Sequence, residues 1–349
     1  MSIYGADRAD APRYDDVAKQ YDAILLMSFG GPEGMDEVMP FLEQVSTGRN
    51  IPRNRLEAVA EHYYAFDGVS PINQQNRDLI DAMRKELLRR GHTMPVYFGN
   101  RNWHPFVTDT VKAMQADGVS HALAFMTSGY CCYSGCRQYR EDIIKAIESI
   151  PGAPSFDKVR VFYNHPRFIN ALVDLATQAV AHWSEDERRG SKLIFTAHSI
   201  PTAMAQKSAY EAQLDETSRI VSERMGFDEY ILCYQSRSGV PHIPWLDPDI
   251  ADVLAEQAEQ GVTHVIVIPI GFISDHMEVI NDLDHEAKDV AEQLELTFVR
   301  VPTVGLHPEF VGMIVDLIEE RMQAQPTRAV CGNRPANHDV CPINCCLRG

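Results

Sequence analysis

The stretch Lys192-Leu-Ile-Phe-Thr-Ala-His-Ser-Ile-Pro201 decides how the chain is read. Five apolar or β-branched residues run into a histidine, and Ser199, Ile200 and Pro201 then stop the strand. A titratable group thus lies at the carboxyl end of a buried strand, where open α/β sheets place their ligands. Alone, such a histidine is more often a hydrogen-bonded structural residue than a catalyst. A second stretch changes the balance. His264-Val-Ile-Val-Ile-Pro-Ile-Gly-Phe272 empties into Ser274-Asp-His-Met-Glu-Val-Ile-Asn-Asp-Leu-Asp-His-Glu286, where nine of thirteen residues are Asp, Glu, His, Ser or Asn. If a helix begins near Asp275, then Glu278 and Asp282 share one face, with Asp275 a turn earlier on it. Imidazole and carboxylate together suit a borderline divalent metal such as Fe, Co or Ni.

Working outward, apolar runs of strand length recur at Ala23–Phe29, Pro95–Gly99, His121–Met126, Val159–Tyr163, Glu229–Tyr234 and Thr297–Val301. Helical periodicity fills the intervals, and a last helix is expected over Pro308–Met322. The alternation predicts an α/β fold of two doubly wound, four-stranded parallel sheets, with right-handed crossovers and a ligand cleft between the halves. Gly30-Gly31-Pro32-Glu33-Gly34 lacks the G-x-G-x-x-G spacing, and Pro32 interrupts a phosphate-cradling turn, so no nucleotide site is expected there. A tight strand-to-helix turn accounts for the glycines.

The 349 residues carry a formal net charge of -17, with 45% hydrophobic residues. Mean hydropathy is -0.24 and the sequence pI about 5.2. This acidity argues against nucleic acid and against anionic membrane surfaces. No apolar run reaches the ~18 residues of a membrane span. The polar leader, residues 1–21, does not read as a secretory signal, so a cytoplasmic protein is expected. Eight cysteines fall into Cys131, Cys132 and Cys136, a lone Cys233, and the tail group Cys331, Cys341, Cys345 and Cys346. In a reducing compartment such clusters point to a metal or an iron–sulfur site rather than disulfides. The tail has no amphipathic period and is expected to be held by metal coordination rather than packing.

Five motifs in order then carry a resemblance: Leu26-Met-Ser-Phe-Gly-Gly-Pro32, Asp67-Gly-Val-Ser-Pro-Ile72, Phe195-Thr-Ala-His-Ser-Ile-Pro201, Tyr234-Gln-Ser236 with Pro244-Trp-Leu246, and Gly271-Phe-Ile-Ser-Asp-His-Met-Glu-Val279. The chain resembles the ferrochelatases from about residue 22 to about residue 325, and most of all the actinobacterial coproporphyrin ferrochelatases with a C-terminal iron–sulfur cysteine cluster. The resemblance implies two Rossmann-like halves, residues 22–129 with 303–325 and residues 130–302, followed by a Cys-rich tail over 326–349. It implies insertion of Fe(II) into coproporphyrin III to give coproheme, with release of two pyrrole protons and no nucleotide consumed. His198 would be proton acceptor or metal ligand, and Glu278 its partner across the ring. Asp275, Asp282 and Asp284 would form an outer acidic path. Ser70, Tyr139, Arg49, Arg53 and Phe29 would meet the porphyrin, Arg49 and Arg53 through its propionates. Relatives often carry a tyrosine as axial iron contact where Phe29 stands here, and Phe29 has no ligand atom. A monomer is expected, with downstream haem-pathway enzymes as further partners.

The resemblance also implies a [2Fe-2S] cluster, which wants four thiolates. Cys345 and Cys346 are adjacent, and neighbouring side chains of an extended segment point opposite ways, so one of them is expected to be left out. Cys331, Cys341 and one of that pair would join Cys136 from the body. A structural zinc site on the same thiolates and uncoordinated thiols are the alternatives. For the whole protein the alternatives are a protoporphyrin IX ferrochelatase, a cobalt or nickel chelatase of the same fold, and a non-catalytic tetrapyrrole or redox sensor. His276 and His285 are read as surface or supporting groups, and Trp103 as packing.

Overall fold

Eight strands pair into two four-stranded parallel sheets in a computed structural model that describes residues 13–48, 51–238 and 242–349. In the first sheet β1 (Ala23–Ser28) lies between β2 (Val96–Asn100) and β3 (His121–Met126), and β4 (Ser155–Lys158) forms the far edge. In the second, β5 (Lys192–His198) lies between β6 (Ile231–Gln235) and β7 (His264–Ile268), with β8 (Thr297–Arg300) outermost. The two sheets share one strand order, as expected from two doubly wound halves.

Alternation along each strand supplies two apolar layers. Ile24 and Leu26 enter a central core with Leu193, Phe195, Ile266 and Ile268, whereas Ala23, Leu25 and Met27 face an outer core under helices Val107–Ala116 and Gln138–Ser149. Ile194, Val265 and Val267 face the corresponding outer core of the second sheet. Each such side chain, fully buried, contributes about 1.5–3 kcal/mol. Helix Pro308–Met322 packs on helices Ile72–Arg89 and Pro166–Ala179, so the end of the folded body closes the central layer between both halves.

Three expectations are corrected. The fourth strand is Ser155–Lys158 rather than Val159–Tyr163, with register His121↔Ser155 to Ala124↔Lys158. The apolar run that follows is buried by side-chain packing rather than by a ladder: Phe162 stacks on Phe125 and meets Phe310 edge-on. Because β4 pairs with β3 after the crossover helix Gln138–Ser149, the first half extends past Lys158 and does not end near residue 129. The tail is also no loose appendage. Asn164 donates to the Arg334 carbonyl at 2.9 Å, Arg328 pairs with Asp339 at 2.5 Å, and Val340 bridges to Arg13 in the leader.

Candidate functional site

His198 ends β5, and the segment carrying Glu278 leaves β7, the next strand of the same sheet. Gly271 lets these two strand ends meet: a Cβ there would fall 2.7 Å from Ala197, and the Gly271 N–H bonds the Thr196 carbonyl at 3.1 Å. The chain then turns through His276, whose Nδ1 accepts the Glu278 N–H at 3.2 Å and caps the helix that starts at Met277. Burial lowers the His276 pKa, so this ring stays neutral with its proton on Nε2.

The outcome places His198 Nε2 3.9 Å from Glu278 Oε2. His198 Nδ1 lies against the Ser199 carbonyl, which only accepts, so Nδ1 carries the proton and Nε2 presents its lone pair toward Glu278. Both side chains are partly open, at 31% and 44% exposure. Imidazole and carboxylate therefore stand side by side beyond adjacent strands of one sheet, too close for a macrocycle to lie between them. Adjacent strands of one sheet deliver neighbours, which corrects the expectation of a partner across the ring.

The acidic row is divided. Beyond Val279 the helix widens into π-helical turns over Ile280–Ala287, which abandons the i, i+4 spacing on which a single face was based. Asp282 accepts from the Ser236 hydroxyl, and burial raises its pKa, as does the charge of Glu278. Asp275, before the helix start, and Asp284 both turn to Arg300 at the end of β8, at 2.7 and 2.5 Å. Only Asp282 remains close to Glu278.

The first half faces these side chains with the segment around helix Arg53–Tyr64. Burial pushes the Tyr63 phenol up, and the carboxylates of Glu278 and Asp282 push it further. Phe66 meets His285 at 5.4 Å, Arg55 donates to the Ser238 carbonyl at 3.1 Å, and Gln75 to the Asp275 carbonyl at 3.0 Å. Ser70 is buried against the glycine turn after β1: a Cβ on Gly31 would lie 2.7 Å from the Ser70 Cβ, which explains that glycine without a nucleotide. Phe29 packs on Phe41 at 6.4 Å beside Trp103. Tyr139 is buried beneath the Arg101 guanidinium at 4.7 Å, and Arg53 pairs with Glu43 and Glu57 at the surface. Arg49 lies outside the described residues.

The ferrochelatase family profile covers residues 21–322. The chain belongs to the ferrochelatase family. It is 49% identical to the ferrochelatase of Rhodopirellula baltica over 94% of this chain and 93% of that one. It is 46% identical to the coproporphyrin III ferrochelatase of Streptomyces coelicolor over 94% of each chain, and 48% identical to that of Mycolicibacterium smegmatis over 90% and 94%. In fold it is similar to the sirohydrochlorin chelatase SirB from Bacillus subtilis subspecies spizizenii, crystallised with cobalt, at TM-score 0.53 and 11% identity over 87% of this chain and 96% of that one.

This ferrochelatase carries a second group of metal-type ligands. The thiol of Cys131 contacts those of Cys136 and Cys346, Cys136 contacts Cys341, Cys341 contacts Cys345, and Cys345 Sγ lies 3.4 Å from Cys346 Sγ. His338, Cys341 and Cys345 hold their donor atoms within 4.8 Å of one another. Three expectations change. Cys331 sits elsewhere, its Sγ 3.4 Å from the Asn164 carbonyl beside Glu216 and Arg219, because its own N–H is held by that carbonyl. Cys131 joins the group instead, while Cys132 turns back to accept the Gly135 N–H at 3.1 Å. Cys345 and Cys346 do not diverge, since they occupy a turn in which Cys346 has φ +54°.

Sequence reasoning missed Tyr63, Arg300, Ser236 and His338, and grouped Cys131 with Cys132 and Cys136 without selecting it as a ligand. Ser236, within the Tyr234-Gln-Ser236 motif, and Cys131, within its cysteine group, carried a local signal.

Proposed function

We propose that this ferrochelatase inserts Fe(II) into coproporphyrin III to yield coproheme. The observation that supports the reading is the His198 Nε2 lone pair 3.9 Å from the Glu278 carboxylate beyond adjacent strand ends. Insertion replaces two pyrrole protons by one dication, so the site must accept protons and must hold iron weakly enough to release it. Neutral imidazole accepts one proton at Nε2, the nitrogen left free by the contact of Nδ1 with the Ser199 carbonyl. Glu278 offers Fe(II) an oxygen ligand. Asp282, whose pKa is raised by burial and by the nearby charge of Glu278, is the carboxylate that would accept the second proton, with the Ser236 hydroxyl donating to it. The closely similar chains named for coproporphyrin III support that substrate over protoporphyrin IX. We place the reaction in the cytoplasm, with the enzyme acting as a monomer; no helix among the described residues is long and apolar enough to cross a membrane.

The decisive measurement incubates anaerobic protein with Fe(II) and each porphyrin while recording product spectra. Coproporphyrin III is expected to be metallated fastest, and H198A to lose about 10²–10⁴-fold in rate. Metallation of neither porphyrin above the uncatalysed rate would refute the reading.

We propose further that the thiol group holds a [2Fe-2S] cluster through Cys131, Cys136, Cys341 and one of Cys345 and Cys346. Four thiolates are what the cluster requires, and five thiols in mutual contact meet that requirement. When bound, the cluster supplies a one-electron centre and ties the tail to the body. The proximity of His338 favours a second reading, zinc on Cys341, Cys345 and neighbours. Anaerobic protein with two irons and two acid-labile sulfides per chain supports the cluster, whereas stoichiometric zinc without sulfide supports the alternative. C136S is expected to abolish the visible absorption and C331S to leave it.

A further inference from the structure

Beside the thiol group lie two cations that pair with no carboxylate among the described residues. Arg140, one turn along from Cys136 in helix Gln138–Ser149, is 1% exposed, and its Nε and Nη1 have no hydrogen-bond partner. Lys158, the last residue of β4, is 3% exposed, and its Nζ reaches only the Val159 carbonyl at 3.4 Å. A small cavity lined by Gly135, Cys136, Lys158 and Arg160 places the Lys158 side chain beside the Cys136 thiol. Arg160 differs from the other two, because Glu320 accepts from it twice, at 2.8 and 2.9 Å. For Arg140 and Lys158, burial works against the charge, and the groups that favour it are thiols, foremost Cys341 and Cys136.

An isolated buried cation is costly, by several kcal/mol per ion, and persists where an opposite charge meets it. Protonated thiols bring none. A [2Fe-2S] unit on four thiolates carries two net negative charges when both irons are ferric, and three after one electron is added. We propose that Arg140 and Lys158 are the built-in counter-charges of this cluster, cancelling its oxidised charge and setting its reduction potential. The inference rests on the cluster reading above and adds the residues that tune the centre.

The physical consequence has a sign. Adding an electron to the cluster raises its negative charge, so each nearby cation stabilises the reduced form more than the oxidised one. Removing one cation must lower the potential. The experiment is a redox titration of the reconstituted full-length protein with dithionite, followed by visible absorption and by the EPR signal of the reduced cluster. R140M and K158M are compared with the charge-keeping R140K and K158R. The two methionine variants are expected to make reduction at least tenfold less favourable, about 59 mV for one electron, or to fail to retain the cluster, while the charge-keeping pair loads it at the parent potential. Methionine variants that hold the cluster at the parent potential overturn the inference. So does equal loss of the cluster in the charge-keeping pair, which would make shape and not charge the requirement. Parent protein that contains no acid-labile sulfide removes the cluster reading itself, an outcome distinct from either.

Discussion

Arg300 shows how one side chain redistributes the chemistry of a site. Its guanidinium takes Asp284 through Nε and Nη2 and Asp275 through Nη1, so two of the three carboxylates expected to lead toward the metal are held by one cation. With 15% side-chain exposure, the group is screened less than a surface pair. R300M leaves two partly buried carboxylates unpaired and is expected to cost about 2–3 kcal/mol, read as a lower denaturant midpoint. His198 and Glu278 stood out in the sequence because His198 ends one buried apolar strand and Glu278 lies in the polar segment that follows another. The role of Arg300 did not, because it depends on β8 lying beside β7.

Helix Pro166–Ala179 owes its start to a histidine that cannot easily take a proton. His165 Nδ1 accepts the Arg167 N–H at 3.3 Å, and burial, aided by the charges of Arg160 and Arg167, depresses the His165 pKa to about 3. In the unfolded chain the ring titrates near ~6.5, so below that pH the unfolded state binds a proton that the folded state refuses. The group therefore costs stability as pH falls from ~6.5 toward 3, at up to about 1.4 kcal/mol per pH unit, and is silent above that window. Denaturant unfolding at stepped pH is expected to show this slope in the parent and to lose it in H165N. Most elements were legible from periodicity. The π-helical turns at Ile280–Ala287 were not, since an apolar period of 3.6 and one slightly longer look alike over eight residues.

Across the molecule, the tail is fastened by polar contacts that need no metal. Glu216 accepts the backbone N–H groups of Asn333 and Arg334, Arg137 donates to the Ile343 and Cys345 carbonyls, and Arg160 to that of Ala329. Arg328 reaches both Asp16 in the leader and Asp339. Metal-free protein is therefore expected to keep residues beyond Met322 resistant to limited proteolysis, with E216A exposing them to cleavage. Rapid loss of the tail from metal-free parent protein would contradict this.

Local patterning was enough to specify a βα-alternating chain, a histidine at one strand end, a carboxylate-rich segment after another strand and clustered thiols, because each of these depends on near neighbours along the backbone. Which sheet takes Ser155–Lys158, that His198 and Glu278 stand side by side, that Arg300 claims two carboxylates, and that Cys131 rather than Cys331 joins the thiols were decided by the fold. Those facts turn on strand order and on contacts between residues far apart in the chain, and burial and charge pairing assign their energies only once the segments have met.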